Sequence, residues 1–542
     1  MIRFQRGVQA FFLLLFLLLI VLTTLPLGGV IPADRIMLLD PVLALGAMLS
    51  AREVLALSLL IPLLVLLAAT VLLGRVFCSH ICPLGTIQDL AGTLIRPRKG
   101  AVPHTLRHGK YLVLGGLVAA ALLGVNLTHF AAPFSLAGRL VVLMVLPFGQ
   151  FLLEPAAGVL RSGADMLGTG LPERFFQDLR YTTLGFHLLF FSAFFAGLSV
   201  ASRFWCRFLC PSGAFLALLG RRPLFPRRVS EGCTGCGSCQ RSCPVGAVSP
   251  QDPKTVANGE CITCRTCADV CPEGAVTFGM REKGLETSPL ALPSRRGVIA
   301  SIGAGLALAF VARRGTGEYW PKGESGNIMP QGLIRPPGAV PEIEFLNLCT
   351  RCGLCIKVCP TNMLQPAGYG TGFSPYLSPL AVSRRGPCEP DCNQCGQVCP
   401  TRAIAPLSVT EKPWAKMGTA RVIPNKCLAW EFDRACLICD EACPYDAISL
   451  VPAPGLTVAV PVVDEFKCAG CGWCEFRCPV VAKAAIVVTP MAALRLRSDA
   501  DYPRRAKEAG LSITRASEAG AEHGEPEGGW EDEGGLPPGF SE

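Results

Sequence analysis

Cys233, Cys236, Cys239 and Cys243 follow the order C-x2-C-x2-C-x3-C, with Pro244 immediately after. The same spacing returns at Cys261, Cys264, Cys267 and Cys271, followed by Pro272. The offset is 28 residues at every cysteine, and Pro-x-Gly-Ala-Val closes both copies. Three thiolates so spaced can cap one side of an iron–sulfur cubane. The fourth, held by a proline of fixed φ, reaches across to the neighbouring cluster. Cys233, Cys236, Cys239 and Cys271 are therefore expected to hold one [4Fe–4S] cluster, and Cys261, Cys264, Cys267 and Cys243 a second. Four thiolates also suit zinc, but zinc sites rarely show a proline after the fourth cysteine together with a repeated partner motif.

Sixteen further cysteines form four more sets. Cys349, Cys352, Cys355 and Cys359 keep the regular spacing, as do Cys468, Cys471, Cys474 and Cys478. Between them, Cys388, Cys392, Cys395, Cys399 and Cys427, Cys436, Cys439, Cys443 are stretched at the first gap, and proline follows all four sets. The order suggests that the two outer, regular motifs share one fold unit and the two inner ones another. Four cysteines remain, in Cys78-x3-Cys82-Pro83 and Cys206-x3-Cys210-Pro211. An i, i+4 spacing puts both thiols of a pair on one helical face, with the proline ending the helix. Two such pairs could supply a seventh cubane, a thiol redox site or a transient metal site; the plain alternative is a small apolar residue at a helix end.

These motifs need elements to carry them. The chain has 542 residues, half of them apolar and 17% charged, well under the roughly 25% charged of soluble domains. Uncharged runs at Gly7 to Ala33, Val54 to Gly74, Tyr111 to about Phe130 and Tyr181 to Ser202 reach the length of about 20 residues needed to cross a bilayer. Leu140 to Leu153 is shorter and carries Pro147, so it is expected to lie in the interface or re-enter. The segment Arg75 to Lys110 holds six Lys/Arg against Asp89 alone, and Arg203 to Arg228 holds six Arg and no acid. The positive-inside rule then places both termini of a four-helix unit in the cytoplasm. A fifth apolar run, Gly297 to Ala312, follows Ser294-Arg295-Arg296-Gly297-Val298-Ile299, which resembles a twin-arginine export signal. Arg313 and Arg314 on its far side argue against export by the positive-inside rule.

The first 280 residues resemble the NapH-type membrane ferredoxins: four spans, two C-x3-C-P motifs after alternate spans, then a two-cluster domain. From about Ser294 the chain resembles the NapG/MauM-type ferredoxins, exported proteins with four clusters. That likeness rests on Leu333-Ile334-Arg335-Pro336-Pro337-Gly338-Ala339, Phe345-Leu346 ahead of Cys349, and Cys427-Leu428-Ala429-Trp430. Pro375 to Cys388 departs from the family pattern. The resemblance implies electron transfer from the quinol pool toward an exported reductase of the nitrate-reductase kind.

No C-x-x-C-H haem attachment site is present, and no convincing nucleotide or flavin loop. His129 and His187, the two histidines inside apolar runs, are candidates for a quinol site, since intramembrane ionisable groups are usually functional. The expected architecture is an all-α transmembrane bundle (1–228), a two-cluster α+β ferredoxin-like module (229–280), a fifth span and linker (281–340, span about 297–312), a four-cluster ferredoxin-like module (341–490) and a disordered tail (491–542), acidic from Ala516. The expected cofactors are six or seven [4Fe–4S] clusters, with quinol as substrate. The partners are the bilayer, the quinone pool and a redox protein, without nucleic acid. The setting is the bacterial inner membrane, with the first module cytoplasmic and the second periplasmic. The alternatives are an assembly factor for another redox enzyme, or a purely cytoplasmic relay.

Overall fold

The computed structural model describes residues 2–23, 33–55, 57–95, 97, 104–152, 181, 183–249, 251–281, 292–314, 333–481, 483–497 and 500–513. The acidic tail from Ala516 and residues 315–332 of the linker lie outside them.

The apolar runs become helices, with changed limits. Ile2–Leu22 is one helix. Leu57–Leu73 stops where Gly74 turns left-handed, at φ 79°. Gly109–Leu122 ends before Gly124, also left-handed at φ 76°, so the Tyr111–Phe130 run breaks into a helix and a short turn at Thr128–Phe130. Leu184–Ala196 is shorter still. Among the described residues, three helices are long and apolar enough to cross a membrane by length and composition: Phe4–Leu22, Pro133–Leu152 and Arg295–Ala312. Two expectations change here. Of the four expected spans, two yield helices of 14 and 13 residues, shorter than a bilayer requires, and a third, of 17, only reaches the lower limit. Leu140 to Leu153, expected to lie in the interface, belongs to a helix that starts seven residues earlier, at Pro133. Pro147 is tolerated because a π-helical stretch, Val141–Val145, widens the turn where its ring would meet the Leu143 carbonyl.

Arg295–Arg314 lies against Gly109–Leu122, running in the same direction. Ser301, Gly305, Ala309 and Ala312 form its buried stripe, and a Cβ at Gly305 would stand 2.2 Å from the Gly116 carbonyl oxygen. Small residues at a spacing of four let the two backbones approach this closely.

The two cysteine-rich modules sit at opposite ends of this bundle. At one end, Lys110 and Tyr111 meet the buried Glu260 carboxylate, Arg75 lies 3.5 Å from it, and Arg107 donates to the Gly246 carbonyl at 2.6 Å. At the other, Asn126 donates to the Asn347 carbonyl at 2.6 Å, Ser135 to Thr350 at 2.9 Å, and Lys357 to the Ile20 carbonyl at 2.7 Å. Gln9, near the start of the first helix, bonds Ser79 and Asp89 at the first end. Eleven residues separate Gln9 from Ile20, about 16 Å of helix.

Each module is made of two-stranded antiparallel sheets and short helices. Arg227–Val229 pairs with Val276–Phe278 in the first. In the second, Leu364–Pro366 pairs with Pro379–Ala381, Ile448–Pro452 with Ala459–Val463, and Thr419–Val422 with Ile486–Thr489. The second module is longer than expected at both ends. It begins by Leu333, since Arg335 is buried and Ala339 bridges to Ile404. It does not end at 490: Tyr502, on a helix capped by Asp501, packs with Leu407 and Ala415, and Ala506 on the same helix is buried. Of the tail expected to be disordered, residues 491–497 and 500–513 are thus ordered.

Candidate functional site

The four regular motifs share one backbone device. The residues two and four places after the first cysteine are left-handed in every case: Gly235 and Gly237, Thr263 and Arg265, Arg351 and Gly353, Gly470 and Gly472. Two reversals of hand on either side of the middle cysteine curl the chain into a cup and turn successive thiols inward. Non-glycine residues resist this conformation, so its presence at Thr263, Arg265 and Arg351 reflects an imposed loop shape. The stretched motifs lack the pair, and their wider first gap makes the turn instead.

The cups are closed from the next motif. Cys261, Cys264 and Cys267 line one cavity with Cys243. Cys349, Cys352 and Cys355 line another with Cys399. Cys468, Cys471 and Cys474 share theirs with Cys443, while Cys427, Cys436 and Cys439 share theirs with Cys478. In the remaining set of the second module, burial raises the Cys395 thiol, and Cys388, Cys392 and Cys359 add to the rise while Lys412 opposes it. Cys359 is therefore the neighbour that completes this group. In the first module, Cys239 and Cys271 pack on the same apolar cluster, and Cys236 is exposed.

This arrangement corrects the expected pairing of motifs. The first motif of the second module exchanges its last cysteine with the second, and the third with the fourth, so neighbours pair and the outer motifs do not. The closures lie in the backbone pairing: the Ala339–Ile404 bridge encloses the first two motifs, and the pairing of 419–422 with 486–489 encloses the last two.

The cavities suit an anionic metal–sulfur core. Main-chain N–H groups of Ala247, Ile404, Ala447 and Ala485 donate to the sulfurs of Cys243, Cys399, Cys443 and Cys478 at 3.2–3.4 Å. Such bonds stabilise thiolate and help set the potential of a cluster.

Cys78, Cys82, Cys206 and Cys210 converge at the end of the bundle that meets the first module. Burial pushes the Cys210 thiol well up, and Cys206, Cys78 and Cys82 add to it. Gln88 donates to the Cys206 sulfur at 3.1 Å and Gly213 N–H to that of Cys210 at 3.2 Å. The two thiols of a pair do not share one helix. Val76–His80 and Phe204–Phe208 end first, Cys82 and Cys210 are extended, and each proline opens a new helix as its first residue. Proline suits that position because the missing N–H would have had no intrahelical partner.

His129 and His187 are both buried. His129 Nδ1 lies 3.1 Å from the Arg351 guanidinium, and its Nε2 has no partner. His187 Nδ1 bonds the Thr183 carbonyl at 2.8 Å, and its Nε2 is also unpartnered. Around them stand Phe130, Phe186, Tyr369, Phe373 and Tyr376, with Phe130 stacked on Phe373 and Tyr369 on Tyr376. The aromatic residues of 369–376, just before and into the segment that departs from the family pattern, thus pack the second module onto the bundle.

Comparison with known proteins yields three family matches. Residues 55–101 and 183–230 match a 4Fe-4S binding domain, 232–276 a 4Fe-4S dicluster domain, and 345–365 a 4Fe-4S binding domain. The methylamine utilization ferredoxin-type protein MauM of Methylophilus methylotrophus is 40% identical over 165 residues, which is 29% of this chain and 71% of that protein. The ferredoxin-type protein NapG of Escherichia coli is 34% identical over 168 residues, 29% of this chain and 71% of its own. The ferredoxin-type protein NapF of the same organism is 32% identical over 177 residues, 32% of this chain and 93% of its own.

Proposed function

As the chain belongs to the MauM/NapG family of ferredoxin-type proteins and is an iron–sulfur electron carrier, we propose that it is a membrane-bound polyferredoxin passing electrons from quinol to an exported reductase. In this reading a NapH-type membrane unit is fused to a NapG/MauM-type module. The cross-capped thiol sets each hold one [4Fe–4S] cluster, six in all, with Cys233, Cys236, Cys239 and Cys271 as the sixth set. Cys78, Cys82, Cys206 and Cys210 are the ligands of a seventh. The clusters supply one-electron acceptance and release; the chain supplies thiolates, N–H donors and spacing.

One observation carries the reading: the modules lie at opposite ends of an apolar helix bundle, and Arg295–Arg314 spans from one end toward the other. A bundle in the bacterial inner membrane then puts the first module in the cytoplasm and the second outside. Folded clusters on the outer side need a route that carries folded cargo, and Arg295-Arg296 supplies the signal for it. His129 and His187 sit at the outer end, where quinol released from the bilayer would meet the second module directly, with no need for electrons to cross the hydrocarbon.

Anaerobic full-length protein in lipid should be reduced by menaquinol or ubiquinol analogues, followed by cluster absorbance. His187→Ala and His129→Ala should slow that reduction without loss of iron. Clusters that stay oxidised with every quinol, while dithionite reduces them, would refute the quinol reading. A tag at the C-terminus should be open to protease from outside, and Arg295→Lys with Arg296→Lys should shield it. A tag already shielded in the unmodified protein would leave only a one-sided relay.

A further inference from the structure

Two arginines meet where the bundle touches the second module, and neither forms an ion pair with a carboxylate among the described residues; Glu342, which acts on Arg351 from farther off, is already shared by Arg335 and Arg495. Arg139, in the Pro133–Leu140 helix, is 3% exposed. It donates to the His129 carbonyl at 2.6 Å and to the Ser135 carbonyl at 3.4 Å. Arg351, between Cys349 and Cys352, is equally buried. It donates to the carbonyls of Leu346, Cys349 and Ser374 at 2.7–3.0 Å, and its Nε has no acceptor. It also lines the cavity of Cys349, Cys352, Cys355 and Cys399.

A buried cation without a counter-charge is costly, and carbonyl dipoles offset only part of that cost. The missing anion is the one this cavity would hold. Four thiolates outweigh the positive charge of an iron–sulfur core, so the site is a net anion when oxidised and more so when reduced. Neighbouring positive charge therefore favours the reduced form. The cation supply is uneven across the module: Cys388 has Lys412 beside it, Cys468 has Lys416, and the Cys478 carbonyl accepts from Arg384, one cation each. The Cys349 loop has two guanidiniums, and it is also the loop seated on the bundle. Ser135 bonds Thr350, and Gly138 lies so close that a Cβ there would be 3.0 Å from the Cys352 carbonyl oxygen.

We propose that Arg139 and Arg351 are the counter-charges of the cluster held by Cys349, Cys352, Cys355 and Cys399, giving it the highest potential in the second module and making it the point where electrons enter from the bundle. The inference rests on the cluster reading above. Because Arg139 belongs to the bundle and the thiols to the module, the potential is set by the docking of one on the other.

The test is a redox titration of the full-length protein followed by electron paramagnetic resonance. Cys349→Ser should abolish the signal of the second module that appears first on reduction; iron content and all signals unchanged in that variant would remove the cluster reading itself. With that signal assigned, Arg139→Gln should move its midpoint to lower potential and leave the others in place, while Arg139→Lys should keep most of the original value. An assigned signal whose midpoint does not move in Arg139→Gln overturns the proposal. Should Arg139→Gln lose its iron, unmodified protein grown with 15N-guanidino arginine decides. The first-reduced cluster should show arginine nitrogen coupling, and its absence overturns the proposal equally.

Discussion

Replacing Glu342 by alanine should loosen the second module at the root of its first cysteine loop. Glu342 opens the Glu342–Leu348 helix that leads directly into Cys349. Its carboxylate is buried between two guanidiniums, Arg335 at 2.6 Å and Arg495 at 2.6 Å, and no side chain of the three is more than 6% exposed. The pairing ties the helix to the Leu333-Ile334-Arg335 lead just before it and to the strand-free segment after Thr489, 153 residues farther on. Removing one partner of a buried ion pair costs about 3–5 kcal/mol, chiefly because the remaining charge is stranded. Arg335 keeps bonds to the Ser378 hydroxyl and the Pro379 carbonyl, and Arg495 keeps one to Leu333. The lower figure, about 3 kcal/mol, is therefore expected for Glu342→Ala. At about 2–4 °C per kcal/mol for a unit of this size, the melting temperature should fall by about 6–12 °C. Loss of visible cluster absorbance on anaerobic heating reads it. Glu342→Gln keeps an acceptor and should lie between. Burial would raise the Glu342 carboxyl, but Arg335 and Arg495 hold it below the ordinary carboxylate range. A depressed acid contributes stability that is present above its unfolded pKa and lost as pH falls through the folded one. The gap between unmodified protein and Glu342→Gln should therefore close as pH falls below about 4.3. A Glu342→Ala melting point within about 1 °C of the unmodified protein, well short of the shift expected for even 1 kcal/mol, would refute the reasoning.

Cys359→Ser should remove the cluster of Cys388, Cys392 and Cys395 and spare that of Cys349, Cys352 and Cys355, seen as one missing resonance signal and about four fewer irons. Cys78→Ser with Cys206→Ser should also lower iron by about four; intact folding with unchanged iron would remove the seventh cluster. Gly305→Leu would drive a side chain into the Gly116 backbone, and a cost of about 1–3 kcal/mol should appear as a lower melting temperature of the full-length protein. Gly138→Val should weaken the seating of the Cys352 loop on the bundle and slow quinol-driven reduction without loss of iron.

The sequence spacing was a good guide to which cysteines close a cup but a poor one to which motifs are partners. In the first module the 28-residue repeat brings Cys243 to Cys261, Cys264 and Cys267 as expected. In the second, regular and stretched gaps suggested the wrong pairs, because a gap length reflects the shape of one loop and partnership is fixed by strands such as Thr419–Val422 and Ile486–Thr489. Span limits were blurred by the same kind of local signal: hydropathy does not register that Gly74 and Gly124 are left-handed and stop their helices. Arg139 and Arg351 were missed altogether. A basic residue at the edge of an apolar run and a non-glycine in the left-handed place of a cysteine loop were the available clues. Tyr369, Phe373 and Tyr376 stand beside and in a stretch without family likeness, and only the fold gives them a surface to cover.

The crossed caps also constrain how the protein is made. As the ribosome extends the chain, Cys349, Cys352 and Cys355 emerge as an open cup that stays open until Cys399 has followed, and the cup of Cys388, Cys392 and Cys395 already has Cys359 waiting. Clusters in the second module would thus be completed in couples, each couple fixed only when its later motif has left the tunnel. A chain cut between Cys443 and Cys468 would forfeit two clusters at once and keep the earlier couple whole. Iron loading of nested truncations should rise in two steps of eight, about two cubanes each, where four independent motifs would give four smaller ones.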